Sequence, residues 1–300
     1  MIEEKEVKKL KENEIIPLTR YFMFIQVFYY HNGIRRLEKF LADYLNIDYN
    51  EVKGKIELMP REQEQDSKLT AETQVDLLFK YNDTTYDIKL NNSYYDGLEE
   101  RNLVFISKIV GSKYEKSMEY KDIKPAILID INNFKSNGED LIEEYRLTNV
   151  KNLKIEYGNG NLRVDVIDLI KGNNKNYKPK DEREEKIIKW CRLFKCKNIV
   201  DFKKICDTIL NKEESERFVV LMNKLSSDSE IIKLEGDAER IHNGFISTYQ
   251  RKFREEGIKE GRKEGIEQGK SQNKIETAKK MLEDKLPIET IIKYTNLSLK

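Results

Sequence analysis

The spacing of apolar positions changes several times along the chain, and each change marks an element. Residues 15–30, IIPLTRYFMFIQVFYY, are rich in aromatics and predict a buried segment after a charged lead-in over 1–14. Ile34, Leu37, Phe40, Leu41 and Leu45 then recur at helical spacing, which predicts a helix over IRRLEKFLADYLNI. A polar stretch from Pro60 to Thr70 predicts a loop. Beyond it the period shortens. Residues 73–80, TQVDLLFK, and 86–90, YDIKL, read as two strands, with Asn82-Asp83 as the turn between them. LEERNLVFISKIVGSKY reads as an amphipathic helix with Leu98, Val104, Phe105 and Ile109 on or near one face. The run KPAILIDIN over 124–132 has the unbroken apolar character of a central strand covered on both sides. Further strands are expected around Leu153–Tyr157 and Leu162–Leu169.

Alternating helix and strand through residue 172 argues for an α/β architecture. GNNKNYKPKDE over 172–182 combines Gly, Asn, Pro and charge without period, which predicts a linker. Apolar residues at helical spacing follow in Glu184–Phe194, Ile199–Leu210 and Glu213–Leu225. Residues 228–272 read as a long charged helix in which Gly257, Gly261, Gly265 and Gly269 recur every four residues. A period of four drifts slowly around a helix, so these glycines make a narrow stripe that admits close approach of another helix. The alternative is a marginal, solvated helix. Two short helices broken before Pro287 are expected at the end. The expected organisation is therefore an α/β domain over 15–172 and a helical region over 180–300.

Composition narrows the function classes. Charged residues make up 36% of the 300 and hydrophobic ones 38%, so part of the chain is solvated helical surface. Net charge is +1, and any nucleic-acid contact must use a local basic patch. No apolar run is long enough to span a bilayer, and the charged N-terminus lacks the apolar core of a secretory signal, so the expectation is a cytoplasmic protein without a membrane partner. Cys191, Cys196 and Cys206 fit no zinc-ligand pattern and read as reduced thiols. Two histidines in the whole chain argue against His-based acid–base chemistry.

The hairpin carries the most information about chemistry. With Asn82 and Asp83 as the loop, Tyr81 faces Thr84 and Asp76 lies across from Lys89. A four-residue loop on the same centre gives the same pairing. Opposed residues share a face, and Asp87 and Asn91 lie on it with Lys89 because strand side chains repeat every two residues.

Together with Ile16-Pro17-Leu18-Thr19-Arg20-Tyr21-Phe22-Met23-Phe24, QVDLLF, IKLNNSYYDGLEERNLVFISKI, EYKDIKPAILIDINNF, the EGxxEG repeat and LPIETIIKYTNLS, this hairpin resembles the Rpn group of recombination-promoting, transposase-related nucleases of the PD-(D/E)XK superfamily. The resemblance implies a restriction-endonuclease-like mixed sheet flanked by helices, followed by the helical C-terminal region. It also implies a metal-dependent DNA endonuclease using Mg2+ or Mn2+. Such an enzyme hydrolyses phosphodiesters with a hard Lewis acid and a positioned water. Asp76 matches the first metal-binding carboxylate. The second should fall at position 89, where this chain has Lys, and the Gln or Lys after it at position 91, where this chain has Asn.

That departure leaves three readings. Asp76 and Lys89 form a structural ion pair in an inactive site. Or Asp87 replaces the missing carboxylate and Lys89 activates water. Or the register is shifted by two and Asp87-Ile88-Lys89 is itself the D-x-K element. The candidate site is thus Asp76, Asp87 and Lys89, with Asp76 and Asp87 as metal ligands. Glu38 is a further carboxylate to consider. Arg101 and Lys108, two turns apart on the following helix, are candidates for DNA phosphates or for pairing with nearby glutamates. Tyr94 and Tyr95 are residues for stacking or for the core. The competing function classes are a nuclease-fold protein that binds DNA without cutting it and a regulator acting through its tail. The tail stripe predicts a homo-oligomer.

Overall fold

The computed structural model describes residues 11–59, 77–112, 119–236, 272–282, 284 and 287–295. The chain divides into two compact units, residues 1–243 and 244–300.

In the first unit, the aromatic run expected to be buried folds as α1 (Tyr21–Phe28), and α2 (Ile34–Leu45) forms where the helical spacing predicts it. Gly33 separates them because a Cβ there would stand 2.4 Å from the Phe28 carbonyl. Asn46 closes α2 in a left-handed conformation, which Asn tolerates. A short helix, α3 (Tyr49–Val52), capped by Asp48, leads to β1 (Ile56–Leu58). The predicted hairpin is β2 (Leu77–Tyr81) and β3 (Thr84–Asn91), with Asn82 at positive φ in the turn. A helical crossover, α4 (Leu98–Ser112), joins β3 to β4 (Ala126–Asn132), and β5 (Ile142–Arg146) and β6 (Leu162–Asp168) follow. The sheet order is β1-β2-β3-β4-β6-β5. Pairing is antiparallel from β1 to β3, parallel across β3, β4 and β6, and antiparallel again between β6 and β5. This is the expected mixed sheet flanked by helices, and β4 is buried along its whole length as its apolar run requires.

Two elements differ from expectation. Leu153–Tyr157 is not a strand. Asn149 Oδ1 accepts from the amides of Lys151 (2.9 Å) and Asn152 (3.0 Å), and this turn limits the pairing to a single bridge between Thr148 and Glu156 and leaves Leu153 and Ile155 exposed. On α4 the inward positions are Leu98, Asn102 and Ile106, spaced by four, while Val104 faces solvent. A polar Asn on the buried stripe misaligns the apolar count.

The expected boundary near residue 172 also moves. After the short turn of helix α5 (Leu169–Gly172) come α6 (Glu182–Lys195), α7 (Ile199–Ile209) and α8 (Lys212–Ser227), capped by Asp181, Asn198 and Asn211. These three helices share one core with α1, α2 and a face of the sheet. The intervening segment is fastened down. Tyr177 Oη accepts from the Leu141 amide and donates to Glu184, Asn173 Nδ2 donates to the Cys191 carbonyl, and a Cβ on Gly172 would strike Cys191 at 2.5 Å. Trp190, fully buried, lies edge-on to Phe40 at 5.4 Å, packs on Phe28 and Phe194, and donates its Nε1–H to Asp43. Truncating an aromatic anchor of this kind costs about 3–5 kcal/mol. Arg36 joins α2 to Glu214 of α8 at 3.1 Å.

In the second unit the described residues are helical over 272–282 and over Ile288–Thr295, on either side of Pro287. The glycine stripe at 257–269 lies outside the described residues.

Candidate functional site

The sheet has two unlike faces. Ile88 and Leu90 on β3, with Ile129 and Ile131 on β4, face the aromatic core. The alternate positions, Asp87, Lys89 and Asn91 on β3 and Leu128, Asp130 and Asn132 on β4, lie on the other face in parallel register. There α4 covers the sheet. Ile106 packs on Ala126 and Leu128 toward the start of the strands, and polar residues take over toward their carboxyl ends.

The hairpin register is the one expected from its turn. Tyr81 faces Thr84, Leu78 faces Asp87 and Leu77 faces Ile88. The alternative with a shift of two is excluded, since Asp87 sits opposite Leu78. Asp76 lies outside the described residues.

Asp87 and Lys89 are buried side by side, 1% and 3% exposed, with Lys89 Nζ 3.5 Å from Asp87 Oδ2. Lys89 Nζ also lies 3.8 Å from the centre of the Phe105 ring, a cation–π contact supplied by α4. Asp130, directly across from Lys89, is 2% exposed. Its oxygens accept from the side-chain amides of Asn91, of Asn102 at 2.9 Å and of Asn132 at 3.2 Å. Burial pushes the Asp130 carboxyl up to about 6, against the opposing pull of Asn132, Arg101, Lys89 and Asn91. Arg101 enters from the edge. Its Nη2 donates to Asn91 Oδ1 at 3.3 Å, and its guanidinium lies 5.5 Å from the Tyr95 ring and 5.6 Å from that of Phe105.

The structure thus brings Asp87, Lys89 and Arg101 into one layer. Lys108 is exposed further along α4, outside that layer. Neither Arg101 nor Lys108 forms an ion pair with a carboxylate among the described residues. Tyr95 is buried at 5% exposure, whereas Tyr94 is 49% exposed. Glu38 is buried, accepting from the Gly54 amide at 2.6 Å and the Tyr49 hydroxyl at 3.2 Å, so it secures the turn before β1. Phe105, placed on the apolar face of α4 from sequence, completes the layer with Asp130, Asn102 and Asn132, which were not singled out from sequence. Their signal is a polar side chain at a position whose neighbours two or four residues away are core.

A hard divalent cation is held through carboxylate oxygens. Asp130 suits one poorly, because amide N–H groups already occupy its oxygens. Asp87 has Lys89 Nζ at 3.5 Å from Oδ2, and Lys89 two residues on has the spacing of a D-x-K element. No group of three His, Cys, Asp or Glu side chains gathers to hold a metal among the described residues. The carboxylates of the described part of the layer are therefore Asp87 and Asp130.

A mixed sheet with this charged layer on its central strands, under a crossover helix, defines a restriction-endonuclease-like protein. A family model for PD-(D/E)XK nuclease family transposases matches residues 20–242, and the chain belongs to that family. The matched segment ends where the first compact unit ends. No curated protein and no solved structure gives a significant match. No helix among the described residues is long and apolar enough to cross a membrane.

Proposed function

We propose that this chain is a metal-dependent DNA endonuclease of the recombination-promoting, transposase-associated kind, with Asp76 and Asp87 holding Mg2+ or Mn2+. The observation that carries the reading is the Asp87–Lys89 pair, spaced as D-x-K and buried on the face covered by α4. The cation would supply Lewis acidity toward the phosphodiester. Lys89 would orient the attacking water, with its amine steadied by Phe105 and Asp87. Arg101, held toward the layer by Asn91, would bind a phosphate oxygen, and Lys108 would add a second, looser phosphate contact.

The reading is tested by cleavage of plasmid and oligonucleotide DNA. Activity should require Mg2+ or Mn2+ and vanish in EDTA and in Asp76→Ala. Lys89→Glu should lower it by removing the water-orienting amine. Cleavage that survives EDTA or Asp76→Ala removes this site from the reaction.

A second reading is DNA binding without hydrolysis. The contact of Lys89 Nζ with Asp87 favours it, because an amine there repels a divalent cation. In that case Lys89→Glu raises Mn2+ affinity in calorimetry where the parent chain shows none.

We also infer self-association through the stripe Gly257, Gly261, Gly265 and Gly269. Glycine costs a helix about 1 kcal/mol per residue against alanine, and a close helix–helix contact would offset that. Light scattering should show a dimer that becomes a monomer when two of these glycines are replaced by leucine. A monomeric parent chain at tens of micromolar refutes this.

A further inference from the structure

The loops that leave the carboxyl ends of β3 and β4 are tied to each other. The Asn133 amide donates to the Asn91 carbonyl at 2.8 Å, Asn133 Nδ2 donates to Asn92 Oδ1 at 3.0 Å, and Asn92 Nδ2 donates to the Thr19 carbonyl at 2.7 Å. On these fastened loops Tyr94 and Phe134 meet at 5.8 Å between ring centres, with an interplanar angle of 69°. In such an edge-to-face pair one ring contributes only its edge, so its faces remain for a third ring. Tyr94 is half exposed, unlike its neighbour Tyr95 in the core. The aromatic pair lies three residues beyond Asn91 and two beyond Asn132, at the end of the sheet where the polar layer opens. Ligands of parallel strands bind outside that end. Lys135, next to Phe134, is exposed and has no carboxylate partner among the described residues. A half-exposed tyrosine set against a partly buried phenylalanine, a basic residue next in sequence and an arginine held by Asn91 at the end of β3 match what a nucleotide presents: a flat base and a phosphate.

We infer that Tyr94 and Phe134 form a stacking platform for an unpaired nucleobase, so that the chain prefers DNA carrying single-stranded or extruded bases over intact duplex. In a duplex both faces of each base are covered by neighbours, so the platform is usable only where stacking is already broken or is broken on binding. This inference rests on the reading above that the site faces DNA, and it adds the form of DNA the site selects.

The test is binding of the full-length chain, in EDTA and again with Ca2+, to a short single strand, a blunt duplex of the same sequence and a duplex with an unpaired internal base. 2-Aminopurine at the unpaired position reports stacking. The parent chain should bind the single strand and the bulged duplex about tenfold more tightly than the blunt duplex and quench the probe. Tyr94→Phe should keep that preference. Tyr94→Leu, which retains apolar bulk without a ring face, and Tyr94→Ala should lose it while keeping the parent's melting temperature within a degree or so. Equal binding of all three DNAs by the parent chain, or a preference that survives in Tyr94→Leu, overturns the platform and leaves the DNA reading intact. Failure of the parent chain to bind any of them under either condition overturns the DNA reading, and the platform with it.

Discussion

Asp130 on β4 and Asp165 on β6 are both buried, on adjacent strands, yet on opposite faces of the sheet. Asp165 is held by charge. Arg163 binds it through two nitrogens, Arg183 donates to it at 3.2 Å, and the Tyr44 hydroxyl donates as well. Glu144 bridges the same two arginines from β5. Asp130 is held by dipoles: three asparagine amides contact it, and the cations of Lys89 and Arg101 act on it from further away. A carboxylate locked between guanidiniums has its charge balanced in place and serves the fold. One surrounded by neutral amides keeps a charge that its neighbours feel, and Lys89 and Arg101 are the cations that feel it. The contrast separates a face of the sheet held by ion pairs from the face proposed above to meet DNA.

The largest effect should come from the structural side. Asp165→Ala leaves the partly buried Arg163 and Arg183 with Glu144 as their remaining shared acceptor and leaves the buried Tyr44 hydroxyl without its carboxylate, a loss of up to about 3–5 kcal/mol. Urea unfolding would read it, and a loss below about 1 kcal/mol would erase the contrast.

Asp130 should behave in the opposite sense. Its carboxyl is raised to about 6 in the folded chain, against about 3.9 when unfolded. The folded state therefore binds this proton more tightly. Stability is greatest below the unfolded value, falls as pH rises through the interval, and levels off above about 6, a loss of about 2–3 kcal/mol from this one group. Asp130→Asn removes that slope and should match or exceed the parent's stability near neutral pH, despite surrendering an acceptor. Urea unfolding of both proteins at about pH 4 and about pH 7.5 decides it. Parallel pH dependence in the two would mean that Asp130 is as well balanced as Asp165.

The smallest effect concerns the basic residues of α4. Lys108 is exposed, so Lys108→Ala should leave stability unchanged, weaken binding to all DNA sequences alike and reduce the salt dependence of binding by about one unit of slope. An unaltered slope would place the DNA path away from α4.

How much of this is legible in the sequence depends on where the information sits. The hairpin is legible because Asn-Asp marks its centre, and the centre sets every pairing from Tyr81–Thr84 to Leu77–Ile88. The helices α6 to α8 are legible from the helical spacing of their apolar residues, and the structure adds Asp181, Asn198 and Asn211 as their caps. Their membership of the first unit is not, because the residues that fasten them, Tyr177 to Leu141 and Arg36 to Glu214, are remote in sequence. The same limit hides Asp130. Within AILIDIN it is a single carboxylate in an apolar run, and only pairing with Lys89 and packing under Asn102 reveal its role. Strand alternation, a short-range pattern, puts Asp87 and Lys89 on one face, and the resemblance to the nuclease family is what makes them and Arg101 candidates.

Trp190 is the only tryptophan in the chain, and it sits where α6 meets α1 and α2. Its emission is therefore an intrinsic optical gauge of one seam. With the indole shut away from water and hydrogen-bonded to Asp43, a blue-shifted band reports that the helices after residue 181 are docked. Any separation of those helices from the sheet would send the band to the red without a dye or a tag. Because the α4 face lies across the sheet from the indole, occupancy of the charged layer should leave the signal still, so docking and binding can be followed in one cuvette on two independent channels.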